Sequence, residues 1–398
     1  MGEAVLTLNA GSSSIKFSLF ELAGAGDFKL SAKGEIEEIE CASPHFFAVD
    51  AQGAALIDRK WDRPVGFAEL LGTVIEWVEM HLGQSGLIAI GHRVVHGGPR
   101  HDRPERVTPE LVAELDKLTP LAPLHEPRSL APIRAILAAR PALPQFACFD
   151  TAFHRTMPLV ATRFALPPEY EAQGVRRYGF HGLSYEYIAG RLRVLAPHLA
   201  EGRVIAGHLG NGASLCAIKD SHSVDTTMGF TALDGLVMGT RCGNIDPGVV
   251  LYLEQQCGLS TKQIEDLLYR HSGLLGVSGI ASDMRTLEAS TDPRAREAID
   301  LFVYRIAREI GGLINSLGGL DGLVFTAGIG EHSPEIRALV CAKLQWLGVK
   351  LDSEANQSNA LKISDKDSRV EVWAIPTDEE AMIARHTRDV VGAVAPAL

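Results

Sequence analysis

The N-terminal part of the chain alternates short apolar runs with apolar residues at helical spacing. Val5 to Leu8 and Ile15 to Phe20 are apolar runs that predict two strands, and the polar segment Asn9 to Ser14 predicts the loop between them. The stretch 66–82 follows a helical period, with apolar residues three and four positions apart at Leu70, Val74, Trp77, Val78 and Leu82. This combination of strands and helices indicates an α/β protein.

Caps and prolines mark the start of further helices. Thr108 precedes a proline and a glutamate, which is typical of a helix N-cap, and Ser333 before Pro334 gives the same signal. Residues 118–132 contain four prolines and predict a rigid loop that opens into a helix and is placed to cover a pocket. A long helix is predicted from about Pro293 to Leu317.

Apolar strands recur in the second half of the chain. The segment 145–150 predicts a buried strand that ends at Asp150, and LVFTAG at 323–328 predicts another. Residues 203–226 predict three short strands separated by Gly-Asn-Gly and Lys-Asp-Ser turns, which repeats the plan of the opening hairpin. Residues 365–376 predict a last strand before a C-terminal helix. The repetition suggests two lobes of related topology, with a boundary near residue 150.

Length and charge narrow the class of protein. The chain has 398 residues, whereas single cores usually stop growing at about 250–300 residues, so two lobes are expected. The net charge is −11, which disfavours nucleic acid or an anionic membrane as a partner because both attract clustered cations. We find neither a signal peptide nor an apolar run near the ~20 residues of a membrane span. The six cysteines lack CxxC spacing, which favours reduced thiols in a cytoplasmic protein.

Several polar segments at strand ends are candidate anion sites. The loop Asn9 to Ser14 supplies an amide, a glycine and hydroxyls, and Lys16 follows as a cation. An ordinary hairpin with a polar turn is the alternative interpretation. Glycine-rich turns at 210–212, 239–248 and 328–330 allow close approach of the backbone to phosphates, although each alone is more often a plain turn. The sequence G-x-x-x-x-G-K-[ST] is absent, which excludes a P-loop.

Five charged or titratable residues stand in contexts that suit phosphate chemistry. Arg93 and Arg241 lie in glycine-flanked loops, and a guanidinium holds a carboxylate or phosphate through two parallel N–H bonds. The alternative for each is a solvated surface charge. His181 in GFHG is either a donor or a satisfied core histidine. The alternative to a functional role is a cap for Asp150, and a favourable interaction with the helix dipole for Glu379.

Seven motifs in order along the chain resemble those of the acetate kinases. They are NAGSSS at 9–14, GHRVVHGG at 91–98, FDTAFHRTMP at 149–158, RYGFHGLSYEYI at 177–188, HLGNGASLCAIKD at 208–220, MGTRCGNIDPG at 238–248 and FTAGIGEHSPEIR at 325–337. The resemblance implies the α/β fold of the sugar kinase, Hsp70 and actin superfamily, which is ribonuclease H-like. Its two lobes have related topology, and the nucleotide and acyl sites lie in the interlobe cleft.

The resemblance also implies domain bounds and partners. It places an N-terminal lobe at 1–150, a nucleotide-binding lobe at 151–380, and a C-terminal helix at 381–398 packing back on the first lobe. The implied reaction is reversible, direct in-line phosphoryl transfer between ATP and acetate, giving ADP and acetyl phosphate in acetyl-CoA biosynthesis. The implied cofactor is Mg²⁺, with Mn²⁺ as an alternative, and the implied assembly is a cytoplasmic homodimer.

The resemblance assigns the site residue by residue. The residues assigned to catalysis are Asp150, His181, Arg241 and Arg93. Substrate binding falls to Arg93, Val95, Leu124, His125, Phe180 and Ala232. Nucleotide binding falls to Lys16, Ser12, Ser14, His208, Leu209, Gly210, Asn211, Gly212, Asp283, Met284, Arg285, Gly328, Ile329, Gly330, Glu331 and His332. The residues assigned to bind the metal ion are Asn9 and Glu379.

Two positions depart from the family pattern, and one assigned role conflicts with the chemistry. His332 stands where the family has asparagine, so we expect altered nucleotide contacts and retained binding. Ala232 stands where the family usually has proline, which enlarges the acyl pocket, whereas Val95 keeps it narrower than the alanine of propionate-selective relatives. Acetate is ionised at pH 7, so no proton has to be removed. We therefore expect Asp150 to orient Mg²⁺ through water and position the reactants, and not to act as a base.

Two other functions compete with this hypothesis. A propionate kinase would use the same machinery on a longer acid. A nucleotide-gated binding protein of the Hsp70 or actin kind would share the fold, but the cluster of Arg93, Arg241 and His181 would have no purpose in it.

Overall fold

The computed structural model describes residues 2–11, 14–23, 27–39, 43–123 and 125–394. The predicted site residues Ser12 and Leu124 lie outside this set. The chain forms two compact units, and the first combines both ends of the sequence. Unit 1 comprises Met1–Ala152 and Asp378–Leu398, and unit 2 comprises Phe153–Thr377. Within the described residues, no helix is both long enough and apolar enough to cross a membrane.

Unit 1 is built on one eight-stranded sheet, which runs in the order β5-β4-β3-β2-β1-β6-β8-β7. Its strands are β1 (Glu3–Ala10), β2 (Ile15–Ala23), β3 (Asp27–Glu37), β4 (His45–Asp50), β5 (Ala55–Lys60), β6 (Gly86–Val94), β7 (Glu105–Arg106) and β8 (Gln145–Phe149). Its helices are α1 (Phe67–Leu82), α2 (Pro109–Asp116), α3 (Glu126–Ala139) and the C-terminal helix α16 (Glu379–Val394), and a 3₁₀ turn covers Thr119–Leu121.

Strand direction in unit 1 decides where its polar residues meet. β1 pairs antiparallel with β2, whereas β1 with β6 and β6 with β8 are parallel pairs. The carboxyl ends of these three parallel strands therefore share one edge of the sheet. Helix α16 packs on β1 and β6 of the same sheet. Beneath the hairpin, Phe17, Phe46 and Trp77 form a cluster with ring centroids 5.8–5.9 Å apart, which fixes helix α1.

Unit 2 repeats the core of this plan in a five-stranded sheet of order β11-β10-β9-β12-β13. Its strands are β9 (Arg203–Leu209), β10 (Ala213–Lys219), β11 (His222–Thr226), β12 (Gly322–Thr326) and β13 (Glu371–Ala374). β9 pairs antiparallel with β10, and β9-β12 and β12-β13 are parallel. This is the order and direction of β3-β2-β1-β6-β8 in unit 1, so the prediction of two lobes of related topology is confirmed.

The remaining helices belong to unit 2. They are α4 (Leu159–Thr162), α5 (Pro168–Ala172), α6 (Gly182–Leu195), α7 (Pro197–Ala200), α8 (Pro247–Gln255), α9 (Thr261–Arg270), α10 (Gly273–Ser278), α11 (Met284–Glu288), α12 (Pro293–Leu317), α13 (Ala327–His332), α14 (Pro334–Lys343) and α15 (Ser353–Gln357). Two 3₁₀ turns cover Ala152–Thr156, at the junction of the units, and Gln345–Leu347.

Most predicted elements are confirmed, including the 25-residue helix α12 and the N-caps Thr108 and Ser333, whose hydroxyls accept the N–H of Leu111 and Ile336. Three predictions need correction. Arg93 lies in strand β6 and not in a loop. The predicted turn 328–330 is part of helix α13, because the chain turns helical directly after β12. The strand predicted at 365–376 is only Glu371–Ala374.

Candidate active site

The polar edge of the unit 1 sheet gathers three residues that are far apart in sequence. Asn9 lies near the end of β1, Arg93 near the end of β6, and Asp150 directly after β8. Arg93 donates to the Asp150 carboxylate from Nε at 3.0 Å and from Nη2 at 2.5 Å, and its Nη1 donates to Asn9 Oδ1 at 3.2 Å. The parallel register of β1, β6 and β8 thus brings together three of the predicted site residues.

The N-terminus of helix α16 adds two carboxylates to this edge. Glu379 Oε2 lies 3.6 Å from Arg93 Nε, and Glu380 Oε1 accepts from Asn9 Nδ2 at 3.4 Å. Asp378 caps the helix, since its Oδ1 accepts the N–H of Ala381. These contacts fix Glu379 and Glu380 beside the strand ends, although more than two hundred residues separate them from Asp150.

Burial and like charges dominate the electrostatics of this edge. Burial raises the pKa of Glu379 to about 7, Arg93 lowers it, and the carboxylates of Asp150 and Glu380 raise it. Asp150 has a side chain only 1% exposed, and burial pushes its pKa upward against the opposing charge of Arg93. We treat the Arg93–Asp150 pair as ionised, because the fork of N–H bonds matches a carboxylate and a guanidinium stays protonated.

In unit 2 a second polar cluster surrounds His181. This residue precedes helix α6 and has a positive φ of 59°. Its Nδ1 lies 2.8 Å from Ser214 Oγ, and its ring stacks on His208 with centroids 4.1 Å apart. Arg241 approaches the same turn, since a Cβ on Gly212 would lie 2.5 Å from Arg241 Nη2 and 3.4 Å from His181 Nε2. Only glycine lets both nitrogens reach this point of the backbone.

A cavity of about 510 Å³ lies beside this turn in unit 2. Its volume suits a nucleotide-sized ligand. It is lined by residues of the β9–β10 turn, by residues in and just before α11, and by residues of α13 and its C-cap. Eight predicted nucleotide residues line it: Gly210, Asn211, Asp283, Met284, Arg285, Gly328, Ile329 and His332.

Some predicted nucleotide residues lie elsewhere in the described structure. His208, Leu209, Gly212, Gly330 and Glu331 do not line the cavity, and Lys16 and Ser14 belong to unit 1. The Glu331 carboxylate instead accepts the backbone N–H groups of Ala327 and Thr377 at 2.8 and 3.1 Å. It therefore connects the start of α13 to the segment that follows β13.

The predicted acyl-binding residues are divided between the units. Val95 and His125 belong to unit 1, and Phe180 and Ala232 to unit 2. Val95, Phe180 and Ala232 are all buried. The carbonyl of Ala232 accepts from Arg241 Nη1 at 2.6 Å, so position 232 also orients this arginine.

Residues 4–385 match the model of the acetokinase family. The chain belongs to this family.

Several acetokinase relatives match over nearly their whole length. An acetate kinase of Rhodopseudomonas palustris is 56% identical over 391 residues, covering 97% of this chain and 98% of the relative. One from Rhizobium meliloti is 46% identical over 393 residues, covering 98% of this chain and 99% of the relative.

Solved structures of the acetokinase kind share the architecture. A propionate kinase from Francisella tularensis superposes with a TM-score of 0.90 at 35% identity, covering 97% of this chain and 99% of that one. The acetate kinase of Porphyromonas gingivalis gives a TM-score of 0.85 at 37% identity, covering 98% and 100%. The predicted fold class is confirmed, and membership of the acetokinase family indicates a kinase that transfers phosphate with acetate, using ATP and a divalent metal.

The unit 1 edge fits the divalent metal that the acetokinase family implies. Among the described residues, no three His, Cys, Asp or Glu side chains are arranged to hold an ion by themselves. An ion here would complete its shell with water and phosphate oxygens, which is how Mg²⁺ usually binds. Asn9, Glu379 and Glu380 offer hard oxygen donors. Burial raises the pKa of Glu379, the neighbouring carboxylates of Asp150 and Glu380 raise it further, and a cation bound here would stabilise the ionised form.

Sequence reasoning missed three residues of the two clusters. Glu380 directly follows Glu379, so its position next to a predicted metal-binding residue could have indicated it. Ser214 follows the Gly-Asn-Gly turn by two residues. Tyr185 lies four residues after His181, and its hydroxyl is 2.5 Å from Ser214 Oγ. That spacing places Tyr185 one helical turn from His181, which makes such a partnership recognisable.

Proposed function

We propose that this enzyme transfers the γ-phosphoryl group of ATP directly to an acetate oxygen, reversibly and with Mg²⁺, giving acetyl phosphate and ADP. The acetate oxygen forms the new P–O bond while the bond from the γ-phosphorus to the β–γ bridging oxygen breaks. The observation that carries the proposal is the convergence of Arg93, Asp150, Glu379 and Asn9 at one sheet edge. That edge combines a guanidinium for an anion with oxygen donors for a cation.

Arg93 is the residue that we assign to the carboxylate of acetate or to acetyl phosphate. Its guanidinium has a defined direction because Asp150 and Asn9 hold three of its nitrogens. Asp150 positions Arg93 and orients metal-bound water; it removes no proton, since acetate is already ionised at pH 7. Asn9 and Glu379 are the residues that would hold Mg²⁺, which when bound neutralises charge on the phosphate oxygens.

The unit 2 residues are assigned to the nucleotide and to the group in transfer. The cavity lined by Asn211, Asp283 and Ile329 is proposed to hold ATP. Arg241 and His181 are proposed to donate to the equatorial oxygens of the transferring phosphoryl, where charge must be neutralised. The approach of both side chains to Gly212 supports this assignment.

Hydroxylamine trapping of acyl phosphate tests the proposal. With ATP, Mg²⁺ and acetate the enzyme should form the hydroxamate, and chelation of the metal should stop formation. Exchange of ATP for a non-hydrolysable analogue serves as the control. ATP consumption without hydroxamate would contradict acyl phosphate formation, and full activity with chelator would contradict the metal requirement.

A propionate kinase is the second candidate, and Ala232 is the observation that favours it, because alanine leaves more room than the family's proline. A comparison of kcat/KM for acetate, propionate and butyrate separates the two. We propose that acetate is preferred and that propionate is used within about two orders of magnitude, since a methylene in such a pocket changes specificity by about 10–200-fold.

We also propose that two copies associate through helix α8. No residue of this helix is buried, although Val249, Leu251 and Tyr252 are large and apolar and are 41%, 52% and 59% exposed. Such a surface favours a partner, and a second copy presents the same apolar face. Light scattering should show a dimer that Leu251→Glu dissociates. Val194→Glu, at an exposed apolar residue on α6, is the matched control. If the Leu251→Glu variant remained a dimer, the result would contradict this interface.

A cytoplasmic location completes the proposal. The described cysteines Cys148, Cys216, Cys242, Cys257 and Cys341 are all free thiols. Reduced thiols are usual where glutathione keeps cysteines unpaired, and ATP is available in the same compartment.

A further inference from the structure

A chain of hydroxyl groups ends on the ring of His181 in unit 2. Tyr185 OH lies 2.5 Å from Ser214 Oγ, and Ser214 Oγ lies 2.8 Å from His181 Nδ1. Tyr185 and Ser214 are both 0% exposed. Buried polar networks of this kind fix the direction of each hydrogen bond, because an unsatisfied member is costly.

The acidities of the three groups decide that direction. A phenol, with a reference pKa near 10, is a stronger acid than a serine hydroxyl, and an imidazole nitrogen is a better acceptor than a hydroxyl. Tyr185 therefore donates to Ser214, and Ser214 donates to His181 Nδ1. A ring that accepts at Nδ1 carries its proton on Nε2.

The surroundings of His181 disfavour its charged form. The His208 ring stacks on it at 4.1 Å, and the Arg241 guanidinium approaches the same turn. A second positive charge beside Arg241 is unfavourable, and a hydroxyl that donates to Nδ1 stabilises the neutral ring. The backbone that carries His181 is also held, because the preceding carbonyl of Phe180 lies 2.9 Å from Nε2 of the buried His154.

We propose that Ser214 and Tyr185 are positioning residues that hold His181 as the neutral tautomer with its proton on Nε2. His181 then acts as a permanent hydrogen-bond donor and not as an acid. The catalytic meaning of this arrangement rests on the proposed function, in which His181 donates to the transferring phosphoryl. The tautomer itself does not depend on that role.

Nitrogen NMR of the enzyme labelled with ¹⁵N-histidine tests the tautomer directly. His181→Gln identifies the His181 signals among the 14 histidines. We expect an unprotonated Nδ1 and a protonated Nε2 at neutral pH. A proton on Nδ1, or an imidazolium at neutral pH, would overturn the inference whatever the activity.

The kinetics of Ser214→Ala test the consequence. We expect kcat to fall about 10–100-fold at neutral pH through misplacement of the donor. The kcat of the variant should then recover partly as the pH falls through about 6.5, because a protonated ring carries N–H on both nitrogens. Tyr185→Phe should show the same effects more weakly. A purely structural role would give no recovery at low pH.

Tyr178→Phe is the matched control, because it removes a buried tyrosine hydroxyl that donates to Gly174 O in the same unit. It should leave the His181 spectrum and the pH profile unchanged. Wild-type spectra and kcat in both Ser214→Ala and Tyr185→Phe would overturn the inference. Wild-type turnover in His181→Gln would instead overturn the catalytic role of His181, while the spectra would still decide the tautomer.

Discussion

At the scale of single residues, both arginines of the proposed site owe their orientation to their hydrogen-bond partners. The Arg93 guanidinium has a defined orientation because it donates two N–H groups to the Asp150 carboxylate and a third to Asn9 Oδ1. Arg241 is oriented by the carbonyl of Ala232. A lysine at either position could supply charge but not this planar geometry.

Replacement of either arginine by alanine should lower kcat/KM by about 10³–10⁵, because charge clamps on a transferring phosphoryl contribute that much elsewhere. Arg→Lys should recover little. Arg203→Ala is the matched control, since it breaks a forked pair with Asp321 that lies outside both clusters and should leave turnover intact. Near-normal turnover by folded Arg93→Ala or Arg241→Ala would contradict the assignment.

Asp150→Asn should raise the Mg²⁺ concentration needed for half-maximal rate and lower kcat at the same time, because Asp150 holds Arg93 and, in the proposed mechanism, also orients metal-bound water. The measurement is initial rate against Mg²⁺ at several pH values. A limb of the wild-type pH–rate profile that disappears in Asp150→Asn, with the Mg²⁺ requirement unchanged, would restore a general-base role.

Glu126 should make the stability of the fold depend on pH. It is fully buried, its Oε2 accepts the N–H of His96, and burial raises its pKa to about 8. Because this folded pKa exceeds the unfolded value of about 4.5, unfolding between these pH values releases a proton. The contribution of protonated Glu126 to the free energy of unfolding is therefore fully present below pH 4.5 and is lost as the pH rises through 8.

Glu126→Gln removes this ionisation while its amide oxygen still accepts from His96. In urea denaturation, the free energy of unfolding of the wild type should fall faster with pH than that of Glu126→Gln. The difference should be up to about 1.4 kcal/mol per pH unit between about pH 5 and pH 8. Glu297→Gln, on the exposed side of α12, is the control and should follow wild type. Parallel curves for wild type and Glu126→Gln would show that Glu126 is ionised in the folded protein.

At the scale of elements, three parallel strands and one helix end build the cluster of Arg93 with its neighbouring carboxylates. β1, β6 and β8 bring Asn9, Arg93 and Asp150 to one edge, and the start of α16 brings Glu379. The helix start is fixed by its cap, Asp378. Helix position and metal binding should therefore be linked.

Loss of the α16 cap in Asp378→Ala should cost about 1 kcal/mol of stability. It should also raise the Mg²⁺ requirement, because Glu379 and Glu380 would be less well placed. Asp292→Ala is the matched control, since it removes the N-cap of α12 and should cost similar stability with no change in metal dependence. An unchanged Mg²⁺ requirement in Asp378→Ala would show that metal binding does not depend on the position of the start of α16.

At the scale of the whole molecule, the same strand order occurs twice, and each copy holds a different set of the proposed site residues. Unit 1 has the carboxylates and Arg93, and unit 2 has the nucleotide-sized cavity, Arg241 and His181. The residues expected to set acyl selectivity are likewise divided, with Val95 in the first unit and Ala232 in the second.

Substitutions in both units should therefore change acyl selectivity. Ala232→Pro should sharpen the preference for acetate by restoring ring carbons, and Val95→Ala should relax it, each within about 10–200-fold. The measurement is kcat/KM for acetate and propionate on the three proteins. Unchanged ratios in both variants would mean that these residues do not contact the acyl group.

The sequence by itself determined the local structure and the family. The hairpin, α12 and the N-caps Thr108 and Ser333 follow from residue type and spacing over a few neighbours, which is where propensity and capping act. The family resemblance likewise assigned Arg93, Asp150 and Glu379 to one site, and Arg93 and Asp150 lie within the quoted motifs. Their order along the chain was sufficient because each motif is contiguous.

Only the tertiary structure decided which of these residues touch. The contacts of Arg93 with Asp150, 57 positions apart, and of Asn9 with Glu380, 371 positions apart, depend on strand register and on where α16 packs. The chain from Tyr185 through Ser214 to His181 joins a helix to a strand in the same way. Such contacts depend on the packing of distant segments against one another, and no local pattern in the sequence encodes that packing.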